Sequence, residues 1–295
     1  MSIIYKFSKY LKRRFSDLFD LIYLISFGYP SQIIKFKALW GLTQGLIYPL
    51  PRVLFGAEKA SRICYSFLQN RIPLAIIPLN KSSNTKIMVS KDPSHYQVYI
   101  EIYIKDIYQK EEIKRGMNII DVGAHIGAYT VLAAEKVGEI GKVIAIEPEP
   151  KNYQYLIKNI KLNNFKNVIP VKIALTDHEG FGKLYLHPFV SADHSFVSRE
   201  NEGFEESSFL ETPVKTLDNL VEELNLKKVD IIKIDTEGTE LSVLRGAEKT
   251  LKANPGMKII VSSYHYPEEV EGVSQFLKER GFKIKIFPGD IITTI

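Results

Sequence analysis

The stretch "NIIDVGAHIGAYT", residues 118–130, carries apolar residues into an acid and then sets two glycines with three residues between them. A short run rich in isoleucine and valine that stops at glycine reads as a buried strand entering a tight turn, and "GAYTVLAAEKVG" beyond it has helical spacing. Asp121 stands at the end of that strand. Gly123 and Gly127, with Ala124 and His125 between them, let the chain turn sharply and bring the next helix close to the strand.

The same alternation continues outward from this stretch. The strand "KVIAIEP" precedes the helix "PKNYQYLIKNIKLNN", and a third strand reads "VIPVKIAL". After an insertion of about 45 residues come the helix "VKTLDNLVEELNL", the strand "VDIIKID", one helix "TELSVLRGAEKTLKAN", the strand "MKIIVSSY", the helix "PEEVEGVSQFLKERG" and two short closing strands. Strands alternating with helices predict an open α/β sheet, mostly parallel, with helices on both faces. Ligands of such sheets bind beyond the carboxyl ends of the strands.

Those ends carry the candidate ligand contacts. A dinucleotide fingerprint reads G-x-G-x-x-G, whereas this chain has G-A-H-I-G with Asp121 two residues ahead of it. Pyrophosphate beside Asp121 would be repelled. An acid there suits a cationic nucleotide, and S-adenosylmethionine carries both an amino group and a sulfonium. Glu147 ends the second strand, where a carboxylate can accept hydrogen bonds from both hydroxyls of a ribose. Asp177, in "IALTDHEG", is placed to meet the exocyclic amine of an adenine.

The 295 residues, 45% of them hydrophobic, can bury a substantial core, and a formal net charge of +5 spread along the chain names no partner by itself. The single cysteine, Cys64, rules out an intramolecular disulfide framework and cysteine-cluster zinc, which fits a reducing, cytoplasmic setting. No stretch reaches the roughly 18 apolar residues that a membrane-spanning helix needs. Residues 1–28 are predicted to form an amphipathic helix, with Ile4, Phe7, Leu11, Phe15, Leu18, Ile22 and Ile25 on one stripe. Lys6, Lys9, Lys12, Arg13 and Arg14 crowd the same segment, so it reads either as a helix packed on the protein or as one lying peripherally on an anionic inner membrane surface. Two more helical patterns follow, then a hairpin or two edge strands in "RIPLAIIPLNKSSNTKIMVS". These features divide the chain into a helical N-terminal region, residues 1–80, and a ligand-binding domain, residues 81–295. The segment "HYQVYIEIYIKDIYQKEEI" alternates like a strand at first and then carries helix-forming residues, and its reading stays open.

The pieces "DVGAHIGAYT", "VIAIEPEPKNYQYLIKNIKLN", "IALTDHEG", "VKTLDNL", "VDIIKIDTEGTELSVLRGA" and "IIVSSYHYPEE" together resemble the FkbM family of S-adenosylmethionine-dependent methyltransferases. The resemblance implies a class I, Rossmann-like sheet of seven strands with a reversed final hairpin. It also implies methyl transfer to a hydroxyl of a saccharide, glycolipid or other small metabolite. It directs attention to "KIDTEGTE", where Asp235 is the candidate to position the acceptor hydroxyl, share its proton or ligate a divalent cation, and Glu237 to shape the acceptor site. Glu240 falls in a first helical turn, where a carboxylate also suits the helix dipole. His265, after the fifth strand, is the candidate base, since imidazole accepts protons near neutral pH. His187 and His194 lie in the insertion, and His194 is a candidate acceptor contact. No pair of histidines has helical metal-ligand spacing, so no protein-bound metal is predicted. The family usually has asparagine where His125 stands, and an acid is frequent where this chain has "SS" before Tyr264. No amino-methylating N/D-P-P-Y motif and no basic-aromatic stripe suggests a nucleic-acid substrate. A nicotinamide oxidoreductase and a non-catalytic nucleotide-binding module at a membrane remain the alternative readings.

Overall fold

The computed structural model describes residues 39, 67, 68, 71, 74–79, 83–187, 190–197, 208–263, 267–288 and 290–294. The predicted amphipathic helix of residues 1–28 lies outside them.

The expected hairpin is present. Strands β1 (Ala75–Pro78) and β2 (Lys86–Val89) pair antiparallel across residue 80, the position at which the sequence reading divided the chain. Helix α1 (Pro93–Tyr99) follows, with Asp92 accepting from the Ser94 amide at 2.9 Å as N-cap and Pro93 at the first position. It runs directly into a π-helical turn at Ile100–Ile104, closed by the Lys105 amide on the Ile100 carbonyl at 2.9 Å. The strand-like alternation of this segment is therefore overridden. Among its buried residues, Tyr96, Tyr99, Ile100 and Tyr103 stand three or four positions apart along one helical face.

From Asn118 the predicted alternation holds. The elements are β3 (Asn118–Val122), α2 (Ala128–Val137), β4 (Lys142–Ile146), α3 (Pro150–Leu162) and β5 (Val168–Val171), then β6 (Ala174–Leu175), β7 (Gly180–Tyr185) and β8 (Phe209–Lys215). They are followed by α4 (Leu217–Glu223), β9 (Ile231–Ile234), α5 (Glu240–Arg245), α6 (Glu248–Ala253), β10 (Lys258–Ser262), α7 (Pro267–Glu279), β11 (Ile284–Phe287) and β12 (Ile291–Thr294). Seven strands form the main sheet in the order β11-β12-β10-β9-β3-β4-β5. β9, β3, β4, β5 and β10 run parallel, and β12 is antiparallel to both β10 and β11, so the final hairpin is reversed as expected.

Central strands β3 and β9 are covered on both faces, which is why they read as largely hydrophobic runs, interrupted only by Asp121 and Lys233, which pair with each other. Ile119 joins Val131, Ala134 and Leu156 in a cluster that includes α2, α3 and the hairpin, while Ile120, Val122 and Ile232 pack with Leu217, Val243, Leu244 and Val273 on the other face. Each fully buried aliphatic side chain contributes about 1.5–3 kcal/mol. Asn159 of α3, fully buried, accepts from the Met88 amide at 2.6 Å and donates to the carbonyls of Met88 and Ile126 at 3.2 and 2.8 Å. This ties the hairpin to the sheet's first crossover.

Two elements differ from the sequence reading. "VIPVKIAL" is not one strand: β5 ends the main sheet, and β6 leaves it to pair parallel with β8 in a second sheet of order β6-β8-β7. "TELSVLRGAEKTLKAN" breaks into α5 and α6 at Gly246 and Ala247, where the Gly246 carbonyl accepts from the Asp218 amide of α4 at 3.0 Å and so leaves the helical ladder.

Candidate active site

The carboxyl ends of β3, β4 and β9 open on a cavity of about 260 Å³, closed from the other side by α1, the π-turn and Ser191–His194 of the insertion. Gly123 forms its floor with φ +75°, and a side chain there would put Cβ 1.8 Å from the Asp235 carbonyl oxygen. Only glycine lets β3 and β9 deliver their ends side by side. Gly127, with φ +85°, starts α2 against Leu156 and lies behind the cavity wall. Ala124 and His125 complete the turn, the Ala124 amide bonding the Ile146 carbonyl at 2.9 Å.

Glu147 reaches the cavity from the end of β4, as expected. Its two oxygens accept from the His125 amide at 2.8 Å and the Glu149 amide at 2.9 Å, and burial pushes its carboxyl up to about 7 despite those bonds. The carboxylate keeps lone pairs beyond the two it uses.

Asp121 occupies a different place from the one expected of a direct ligand contact. It is fully buried outside the cavity lining, accepting from Thr130 Oγ1 at 2.5 Å and lying 3.1 Å from Lys233 Nζ. Lys233 in turn donates to the Gly123 and Val122 carbonyls at 2.7 and 3.3 Å. The acid at the strand end thus fixes the lysine that braces the glycine turn. Asp177 is also displaced from its expected role. Because β6 leaves the main sheet, Asp177 is exposed, lies outside the lining and pairs with His178 Nδ1 at 2.9 Å. Ile173, Ala174 and Leu175 line the cavity there instead.

His125 takes φ +53° and is buried, its Nε2 lying 2.9 Å from Ser191 Oγ and its ring edge-on to His95 at 5.1 Å. Burial, reinforced by His95, holds its imidazole well below the ordinary range, so it is neutral. Ser191 also meets Ser94 Oγ at 3.1 Å, donates its amide to Asp92 at 3.2 Å and accepts from Asn152 Nδ2 at 2.9 Å. The insertion is thereby held over the cavity. His194 lines the cavity, its Nδ1 accepting from the His187 amide at 2.9 Å, and burial lowers its imidazole as well.

Asp235 and Glu237 lie at the cavity's other end. The Tyr108 hydroxyl donates to Asp235 Oδ2 at 2.6 Å and lies 3.0 Å from Ser262 Oγ. Glu237 has φ +58° in the turn after β9, and its carbonyl accepts from Ser195 Oγ at 2.5 Å. Glu240 serves that turn rather than a ligand: its carboxylate accepts from the Thr236 and Gly238 amides at 2.7 and 3.0 Å. His265 lies outside the described residues. Among the described residues no group of three His, Cys, Asp or Glu could hold a metal ion, and no helix is long and apolar enough to cross a membrane.

Sequence reasoning missed the wall that α1 and the π-turn provide. Gln97 donates through Nε2 to Glu101 Oε1 at 2.6 Å, and both line the cavity together with Tyr108 and Tyr129. A single acid within "VYIEIYI" was the available signal, since an acid flanked by apolar residues on a buried helix is costly unless it meets a partner or ligand.

This strand order, with a glycine turn after β3 and an acid after β4, defines a class I methyltransferase whose methyl donor is S-adenosyl-L-methionine. The residues fit that donor: a ribose-type carboxylate at Glu147, a backbone turn with no room for side chains, and buried polar atoms on the lining, His125 Nδ1 and the Tyr129 hydroxyl, with no hydrogen-bond partner in the protein. The family model of the methyltransferase FkbM domain matches residues 121–284, more than half of the chain, and the chain belongs to that family. It is 24% identical over 216 residues to methyltransferase sdnD of Sordaria araneosa, covering 63% of this chain and 82% of that one. It is 26% identical over 178 residues to the hexuronic acid methyltransferase AglP of Haloferax volcanii, covering 60% and 67%. To methyltransferase 1 of Beauveria bassiana it is 24% identical over 166 residues, covering 51% of this chain and 66% of that relative's length.

Proposed function

We propose that the chain methylates a hydroxyl of a saccharide, glycolipid or other small hydroxylated acceptor. The observation that carries this reading is Asp235, a carboxylate on the cavity wall at the end of the central strand, held by the Tyr108 hydroxyl and adjoining the glycine turn. The relative named for hexuronic acid supports an acceptor of sugar type.

In this reading Glu147 accepts from the ribose hydroxyls, and the Gly123–His125 backbone follows the donor. Asp121 acts through Lys233, whose bonds to the Gly123 and Val122 carbonyls keep the turn in shape. When bound, the donor supplies an electrophilic methyl carbon on sulfur. Asp235 orients the acceptor hydroxyl for in-line attack, and the hydroxyl proton passes to Asp235 or to His265, whose role as base is part of the proposal. Ser191–His194 cover the acceptor and exclude water, with His194 contacting it. Residues 1–28 are proposed to lie on an anionic membrane surface.

The test is transfer of labelled methyl from S-adenosylmethionine to hydroxylated glycosides by wild type and Asp235→Asn, beside titration with S-adenosylhomocysteine. The reading expects transfer to fail in the variant while donor-product binding persists. Equal transfer by both proteins would remove Asp235 from the reaction.

A further inference from the structure

Ser191 opens the short helical turn Ser191–Asp193 of the insertion, and all of its polar groups are engaged. Its amide donates to Asp92 Oδ2 at 3.2 Å, and its carbonyl accepts from Asn152 Nδ2 at 2.9 Å. Its hydroxyl lies 3.1 Å from Ser94 Oγ and 2.9 Å from His125 Nε2. The start of α1, the glycine turn and α3 thus converge on one small residue of the cavity wall.

Proton counting gives these contacts a direction. The Ser94 hydroxyl donates to Asp92 Oδ1 at 2.7 Å, and a hydroxyl has one proton to give. In the contact between the two serines the proton therefore comes from Ser191. With its own proton spent, the Ser191 oxygen accepts from His125, and His125 carries hydrogen on Nε2. The opposite direction would leave two serine oxygens 3.1 Å apart with no proton between them. Burial keeps the imidazole neutral, so hydrogen on Nε2 means a bare Nδ1. His125 Nδ1 has no hydrogen-bond partner among the described residues, so nothing there calls for the proton.

His125 is tied to the donor side as well. Its amide donates to Glu147 Oε2 at 2.8 Å, so one residue holds the carboxylate assigned to the ribose through its backbone and the insertion through its ring. It does so at φ +53°, a left-handed conformation that costs a residue with a side chain and persists where surrounding contacts enforce it.

We propose that Ser191 is a positioning residue that closes the insertion over the bound donor, through a one-way hydrogen-bond chain that starts at the Nε2–H tautomer of His125 and ends at Asp92. This rests on the methyltransferase reading and adds to it a link between the ribose contact and the covering turn. Ser191 acts through His125 and not on the reacting atoms. A covering turn held less firmly lets the nucleotide leave sooner, and release is where most affinity differences lie.

The test uses full-length protein with isotope-labelled nitrogens in its six histidine rings, and S-adenosylhomocysteine as the probe. Long-range proton–nitrogen correlation spectra show which ring nitrogen carries hydrogen, and the spectrum of His125→Asn assigns the His125 signals. The wild type should show hydrogen on Nε2 and a bare Nδ1. Ser94→Ala should shift that tautomer, because the Ser191 proton, left without its acceptor, can turn to His125 Nε2; a role confined to packing would leave the tautomer as it is. Release of labelled S-adenosylhomocysteine, chased with unlabelled nucleotide, should be roughly tenfold faster in Ser191→Ala. Hydrogen on Nδ1 in the wild type, a tautomer unmoved by Ser94→Ala, or unchanged release in Ser191→Ala would each overturn the proposal. Failure of the wild type to bind the nucleotide would sink the methyltransferase site beneath it, whereas binding with the wrong tautomer or unchanged release sinks only the role of Ser191.

Discussion

Tyr108 and Asp235, 127 residues apart in sequence, are joined by a 2.6 Å hydrogen bond from the phenol to the carboxylate. The bond links the segment ahead of the glycine turn to the end of the central strand. It also holds Asp235 Oδ2 in place before any acceptor arrives. Removing the hydroxyl alone, in Tyr108→Phe, takes a bond to a charged group, about 1.5–3 kcal/mol. We expect kcat to fall roughly tenfold or more, with the affinity for S-adenosylhomocysteine unchanged. Equal losses in both would make Tyr108 a general structural support.

Glu147 predicts a pH dependence. Its folded carboxyl sits at about 7 against an ordinary 4.5, so the folded protein holds the proton longer than the unfolded chain. Stability from this group is fully present below pH 4.5 and is lost as pH rises through about 7. Donor affinity runs the opposite way, because the ionised carboxylate is the better acceptor for ribose hydroxyls. Titrations with S-adenosylhomocysteine from pH 6 to pH 8 should tighten with pH in the wild type, and Glu147→Gln should show weak, flat binding.

The buried pair of Lys233 and Asp121 gives a second stability prediction. Lys233→Met leaves the carboxylate unanswered in the core and should cost about 3–5 kcal/mol. Adding Asp121→Asn to Lys233→Met should restore part of the loss in denaturant unfolding. A double variant no better than the sum of the two singles would mean that the pair is not coupled.

Gly123→Ala should abolish donor binding, since the new methyl would fall 1.8 Å from a backbone oxygen. Gly256→Ala is the control: nothing lies within 4 Å of its added Cβ, and its stability should change by about 0.5 kcal/mol at most. Thermal melts with and without S-adenosylhomocysteine measure both.

Membrane association of residues 1–28 is tested by co-sedimentation with anionic liposomes. The full chain should pellet and a chain lacking the segment should stay in solution. Identical behaviour of the two would end the membrane proposal.

The sheet was legible because parallel strands covered on both faces read as short, largely apolar runs, and Gly123 punctuates the first of them. Glu147 was legible for the same reason: it ends a strand whose neighbours fix its direction. Asp121 and Asp177 were misplaced because strand-end position does not reveal what lies beside it. Lys233, on a strand adjacent only in space, claims Asp121, and the departure of β6 to another sheet carries Asp177 to the surface. Gln97 and Glu101 were hidden by an alternation that looked extended, whereas the tyrosine anchors of that segment follow the helix period.

The family's shared region starts at Asp121, yet Gln97, Glu101 and Tyr108 stand ahead of it. A fragment trimmed to that region would keep the glycine turn and Glu147 while losing Tyr108, a hydrogen-bond partner of Asp235. Such a fragment would be a nucleotide holder with one side of its second berth missing. The segment upstream of residue 121 therefore completes a cavity wall that the family's shared region does not contain by itself.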